Sequence, residues 1–136
     1  MTKYESSIKE IPFSQERVFN KLSDLNNLEG IKDRIPQDKL QDISFDADTL
    51  SFSVSPVGKL TLKIIEREPF KCIKFETVQS PAPFNLWIQI VPMTEERCKI
   101  KLTIGLDMNP FMLTMVKKPL KEGLEKMVEM LSMLPY

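Results

Sequence analysis

Apolar residues recur along this chain with two periods, and the changes between them mark its elements. Tyr4, Ser6 and Ile8 alternate with Lys3, Glu5, Ser7 and Lys9. A period of two puts neighbouring side chains on opposite faces of an extended segment, so the spacing predicts a first strand over residues 3–11. Val18, Phe19, Leu22 and Leu25 then repeat at helical spacing. Ser14 stands just before them, where its hydroxyl can accept from a free amide of the first turn. A second short helix is expected over 24–30, with Leu25 and Leu28 inward and Gly30 as its stop. The segment IKDRIPQDK reads as a connecting loop.

Over residues 40–107 the period is two again. The rows are Ile43 and Phe45; Leu50, Phe52 and Val54; Leu60, Leu62 and Ile64; Ile73, Phe75 and Thr77; Phe84, Leu86, Ile88 and Ile90; and Cys98, Ile100, Leu102, Ile104 and Leu106. Turn-forming stretches (DADT, SPVGK, EREPFK, QSPAP, MTEER) separate them. Six antiparallel strands with one apolar and one mostly polar face make a half-wet sheet, and the apolar face needs a cover.

The last periodic segment is the one long enough to supply it. Leu120, Gly123, Leu124, Met127, Met130, Leu131 and Leu134 share one side of a helix, with Lys121, Glu122, Glu125, Lys126, Glu129 and Ser132 on the other. Pro119 cannot donate to the carbonyl of Met115, so a kink or a break is expected there. Gly123 lies within the apolar face and disfavours helix by about 1 kcal/mol against alanine. Either a backbone comes close to it or space is left open beneath the helix. Five of the eight methionines fall between Asn109 and Leu134. Methionine adapts to irregular gaps, so Met112, Met115, Met127 and Met130 either complete an awkward core or line a cavity for an apolar ligand.

Composition narrows the chemistry. The 136 residues suit one domain, spanning 1–136. Lysine plus arginine (19) balances aspartate plus glutamate (19), and no basic run exceeds the Lys117-Lys118 pair, so no nucleic-acid partner is expected. The first ten residues lack the apolar run of a signal peptide, and no stretch has the length of a membrane span. A cytoplasmic location is expected. Cys72 and Cys98 fit no metal spacing and read as reduced sheet residues, though only coordinates decide whether they pair. Histidine is absent, which removes Ser-His and Cys-His nucleophile pairs and most zinc sites. No glycine-rich phosphate loop occurs, and no cofactor or metal is expected.

The opening strand KYESSIKEI, the helix pair SQERVFNKLSDLNNLEGI, the strands leading to KIKLTIGLDM and the closing PLKEGLEKMVEML together resemble the START-like (SRPBCC) superfamily over nearly the whole chain. That group includes polyketide cyclases and dehydratases, lipid-transfer domains, pollen-allergen proteins and ubiquinone-binding proteins. The resemblance rests on element order and carries no catalytic motif. It implies an α+β helix-grip fold: a curved antiparallel sheet of about seven strands around the long C-terminal helix, with two short helices after the first strand. It also implies a pocket between sheet and helix. Its walls would be Phe52, Leu62, Phe75, Leu86, Ile88, Leu102 and Ile104, with Met112, Met115, Gly123 and Met127 as the lid. Tyr4, Ser6 and Thr77 face inward and are the polar groups available to orient a ligand, or else to bond backbone. The mouth is expected near QSPAPF and the helix before Pro119.

Three functions compete. The first is a non-catalytic carrier or sensor of a hydrophobic small molecule or lipid. The second is a cyclase or dehydratase, whose acid-base groups would have to come from Tyr4, Glu76, Asp107 or Arg67, with Glu76 and Asp107 facing outward by alternation. The third is an interaction module with little cavity. Trp87 favours it, because alternation places its ring on the outer sheet face, where it could serve a homodimer or another protein partner. A bulge, or cover by a neighbouring long side chain, would account for Trp87 equally.

Overall fold

Period-two rows become strands, and the helical stripes of residues 15–22 and 110–132 become helices. The computed structural model describes residues 2–27, 40–54, 58–79, 83–107 and 109–134, without the side chains of 40–42, 54, 58, 79, 112, 116 and 119. The expected stop at Gly30, the IKDRIPQDK loop and most of the SPVGK and QSPAP turns lie outside them. In chain order the elements are β1 (Thr2–Glu5), β2 (Lys9–Ile11), α1 (Gln15–Leu22), β3 (Leu40–Phe45), β4 (Thr49–Val54), β5 (Gly58–Glu68), β6 (Cys72–Gln79), β7 (Phe84–Thr94), β8 (Arg97–Leu106) and α2 (Pro110–Ser132). All pairings are antiparallel. The sheet runs β1-β8-β7-β6-β5-β4-β3, with β2 also on β8. This is the expected α+β helix-grip architecture, with eight strands among the described residues.

The additional strand arises because the predicted strand over 3–11 is divided. Glu5 pairs with Thr103 and Lys9 with Ile100, so four steps along one strand match three along the other. One extra residue reverses which side chains face the core. Tyr4 points inward opposite Ile104, but beyond the gap Ile11 is the fully buried residue, and Ile8 is 61% exposed. Ser6 bridges the interruption. Its amide donates to the Leu102 carbonyl at 2.8 Å, and its hydroxyl accepts from the Leu102 amide at 2.9 Å.

Ser14 caps α1 as expected, accepting from the Arg17 amide at 3.2 Å. Val18, Phe19 and Leu22 of α1 are buried. The expected second helix is, among the described residues, a single 3-10 turn over 25–27. Leu25 is buried there, and its amide donates to the Ala47 carbonyl at 2.9 Å. In the turn between β5 and β6, Phe70 has a left-handed backbone (φ 65). That geometry disfavours a residue with a Cβ by about 1–2 kcal/mol. Its ring meets Phe19 edge-on, with centroids 5.7 Å apart.

α2 continues unbroken through Pro119, so the break does not occur. Leu124, Val128, Leu131 and Leu134 are buried, whereas Glu122, Glu125, Lys126 and Glu129 are exposed. The main strand neighbours of α2 are β8, β2 and β1, so the helix lies toward one edge of the sheet. A clasp fastens it there: the Ser7 amide and hydroxyl donate to the two carboxylate oxygens of Glu125, the hydroxyl at 2.7 Å.

The hydroxyl of Ser7, then its amide, hold the Glu125 carboxyl below the usual carboxylate range. A depressed pKa contributes stability above the unfolded-state value, and this is lost as pH falls through the folded-state value. Glu125→Gln is therefore expected to reduce stability near neutrality and to have little effect in acid, where the wild type has lost the same contribution. Solvent screening keeps the difference below about 1 kcal/mol. Urea unfolding of both proteins across an acid-to-neutral pH series measures it.

Candidate functional site

Because α2 sits toward β1, β2 and β8, a space remains under its C-terminal half on the side of β3 and β4. It is an apolar cavity of about 50 Å3. Phe52 of β4, Phe75 of β6, and Leu86 and Ile88 of β7 form its floor; Leu22, Leu25 and Leu131 close its sides. These seven side chains are buried. Ile43 and Phe45 of β3, Leu50 of β4, and Met127 and Met130 of α2 also line it and are half-buried, so they form its rim. Every described lining side chain is apolar. The strands supply this by placing alternate residues inward, and α2 by bringing positions 127, 130 and 131 onto one face.

Of the residues expected to form a pocket, Phe52, Phe75, Leu86, Ile88 and Met127 meet at this cavity. Leu62, Leu102 and Ile104 are buried in the core but do not line it. Met115 is 62% exposed and belongs to the solvent side of α2. The Met112 side chain lies outside the described residues, as does the 80–82 part of the expected mouth. Gly123 is half-buried and off the lining. The expected polar groups face other work. The Ser6 hydroxyl accepts from Leu102 and donates to the Ser7 carbonyl at 2.9 Å. The Thr77 hydroxyl accepts from the Phe84 amide at 3.2 Å. Tyr4 is half-buried beneath the Lys121 ammonium, 5.5 Å from its ring centre.

The expected walls and lid omitted Leu22, Leu25, Ile43, Phe45, Leu50 and Leu131, while Met130 was among the methionines weighed as cavity lining. Each belonged to a recognised apolar row or stripe, but periodicity does not say which end of α2 stands away from the sheet.

A Cβ built on Gly123 meets nothing within 4 Å, so the glycine marks open space rather than a close backbone. Gly123→Ala is expected to stabilise the protein by about 0.5–1 kcal/mol, through helix propensity and a less flexible unfolded chain. A rise in the thermal midpoint with unchanged secondary structure checks this.

Trp87 is half-buried on the outer sheet face. The Lys3 and Lys74 ammonium groups lie 5.6 Å and 5.5 Å from its ring centre. Lys74 pairs directly with Trp87, and Lys3 reaches the ring from beside Gly105, its register partner. Long side chains thus cover the indole, as one of the readings of its position allowed.

The groups needed for catalysis are dispersed. Glu76 and Asp107 are exposed, and Arg67 Nε donates to the Ser23 carbonyl at 2.9 Å. Among the described residues no cluster of three or more metal-ligating side chains occurs, and no helix is long and apolar enough to cross a membrane. Cys72 and Cys98 are free thiols. Burial pushes both up from the usual thiol range, with Glu68 and Glu66 adding to the effect at Cys72.

No protein-family model and no curated protein matches the sequence. Solved structures do match in shape. Norcoclaurine synthase from Thalictrum flavum, in complex with dopamine and hydroxybenzaldehyde, is 18% identical with a TM-score of 0.74, covering 96% of this chain and 84% of that one. A START superfamily protein from Mycobacterium smegmatis is 17% identical with a TM-score of 0.70, covering 96% and 94%. The protein XoxI from Bacillus cereus is 13% identical with a TM-score of 0.58, covering 100% and 99%. At these identities the likeness is one of architecture: the chain has the START-like helix-grip fold.

Proposed function

We propose that this chain, acting as one domain over residues 1–136, binds a hydrophobic small molecule or lipid between its sheet and α2 without transforming it. The observation that carries this reading is the all-apolar cavity with a half-buried methionine rim. Apolar burial at about 25 cal/mol per Å2 supplies the driving force, less the loss of ligand freedom. Among the described residues the lining holds no titratable side chain, so they offer no acid or base for proton transfer in the cavity. Norcoclaurine synthase, an enzyme, shares the fold, and an enzymatic role here would need reacting groups from beyond this lining. Two free thiols fit a reducing compartment, and the cytoplasm is the proposed location.

Native mass spectrometry of the protein from its own source, followed by organic extraction, tests the reading. A stoichiometric apolar adduct, lost in a folded Leu50→Trp variant and kept in Gly123→Ala, is the expected result. Protein that carries no adduct and takes up none from an excess of apolar probes would overturn it.

A second reading is favoured by one observation: about 50 Å3 is well below the roughly 300–1,000 Å3 usual for ligand pockets. A protein-interaction module, or a homodimer through the outer face near Trp87, would need no larger cavity. The lysines over Trp87 would then have to move aside for the partner.

A further inference from the structure

The size, rim and one-sided support of the cavity point to a particular kind of occupant and route, granted the binding reading above. An apolar cavity of about 150 Å3 accepts a benzene ring and stays dry when empty. The cavity here, about 50 Å3, is too small for any ring while the backbone stays in place. It exceeds the roughly 10–15 Å3 that one water-sized probe needs, so it can take a narrow group such as the end of a hydrocarbon chain. Among the described residues no polar side chain lines it, so the inserted part must be free of hydroxyl, carbonyl or charge, which would lose hydrogen bonds to water without replacement.

The direction of entry follows from the rim. The half-buried lining residues are confined to β3, β4 and α2: Ile43, Phe45, Leu50, Met127 and Met130. The β6 and β7 side chains behind them are closed to solvent. The opposite flank of α2 is fastened by the Ser7–Glu125 clasp and by packing on β1, β2 and β8. Widening is therefore easiest on the β3–β4 side. There the two movable groups are methionines, unbranched and flexible enough to swing without backbone change.

We infer that the ligand is an unbranched hydrocarbon chain, inserted tail-first between the β3–β4 hairpin and the C-terminal half of α2, with Met127 and Met130 as the gate. Its polar end stays outside the cavity, at the water-facing rim.

The test uses protein carrying 13C-labelled methionine methyl groups, titrated with dodecanoate below its micelle range and separately with adamantane-1-carboxylate. Both probes bear a carboxylate, and only the first has a narrow tail. The expected result is binding of dodecanoate at least about tenfold tighter, with the largest shifts at Met127 and Met130 and little change at exposed Met93, Met115 and Met133. A Met127→Ile, Met130→Ile variant, with a stiffer branched gate, should associate about tenfold more slowly, whereas Met115→Ser should not. Equal or tighter binding of the ring probe would overturn the chain assignment while leaving apolar binding intact. Dodecanoate binding with shifts centred on Met115 would overturn the route. Failure of both probes to bind would overturn this inference together with the binding reading.

Discussion

Phe75→Ala is expected to lower the free energy of unfolding by about 3–5 kcal/mol, the range for removing a buried aromatic ring. Phe75 is 1% exposed and stands in the middle of the sheet, paired with Ile64 of β5 and Leu86 of β7. It already borders the cavity, so its loss merges new space with old instead of leaving a void that neighbours can fill. That argues for the upper part of the range. Against a typical total of about 5–15 kcal/mol, the variant would remain folded with a small margin. The enlarged cavity should also admit a ring that the parent excludes. Urea unfolding with and without saturating benzene separates the effects: a lower midpoint in water, partly restored by benzene in the variant and unchanged by it in the parent. A variant as stable as the parent would show that the packing around position 75 has been misread.

Ser6→Ala comes next, at about 1–3 kcal/mol. Serine and alanine differ there by one oxygen, yet that oxygen accepts from the Leu102 amide where the β1–β2 interruption leaves no strand carbonyl to do so. Leu102 is fully buried, and water does not easily take over. The cost is that of a buried amide without an acceptor, which exceeds the net value of an ordinary hydrogen bond. Ser6→Thr keeps the hydroxyl and should retain most of the stability. If alanine and threonine behave alike, the bridge contributes nothing. Amide hydrogen exchange at Leu102, faster in the alanine variant only, reports the same bond directly.

These two residues also show where the sequence was legible. Phe75 sits in a strand whose alternation reads directly as one buried face. The rows of β7 and β8 were equally plain, because one burial direction governs long runs; on α2, Leu124, Leu131 and Leu134 were placed correctly, but fully buried Val128 was left off the expected face. Ser6 was read as facing inward, and it does, but its hydroxyl serves a backbone amide rather than a ligand. A single inserted residue between Glu5 and Lys9 creates that need, and nothing in KYESSIKEI announces it. Ile8 was misplaced for the same reason. Pro119 carried a strong local signal for a break, yet the surrounding helix overrode it. The apolar stripe of α2 identified Met127, but the space near it, and the exposure of Met115, depend on α2 packing toward β1, β2 and β8. Contacts across the whole chain set that placement, and local periodicity does not encode them.

The Ser7–Glu125 clasp and the pairing of β1 and β2 with β8 have a consequence for how the protein is made. Residues 2–5 and 9–11 find their strand partners only at residues 98–106, and the clasp partner lies 118 positions from Ser7. At roughly 5–20 residues per second, a ribosome needs on the order of 5–20 s to deliver the β8 segment after the first strand has emerged. During that interval the β3–β7 hairpins can assemble from neighbouring segments, while the first strand waits unpaired and α2 does not yet exist. The apolar sheet face is therefore uncovered until α2 has emerged. A nascent chain halted after β7 should be a preferred client for chaperones that bind exposed apolar strands, and release should coincide with emergence of α2.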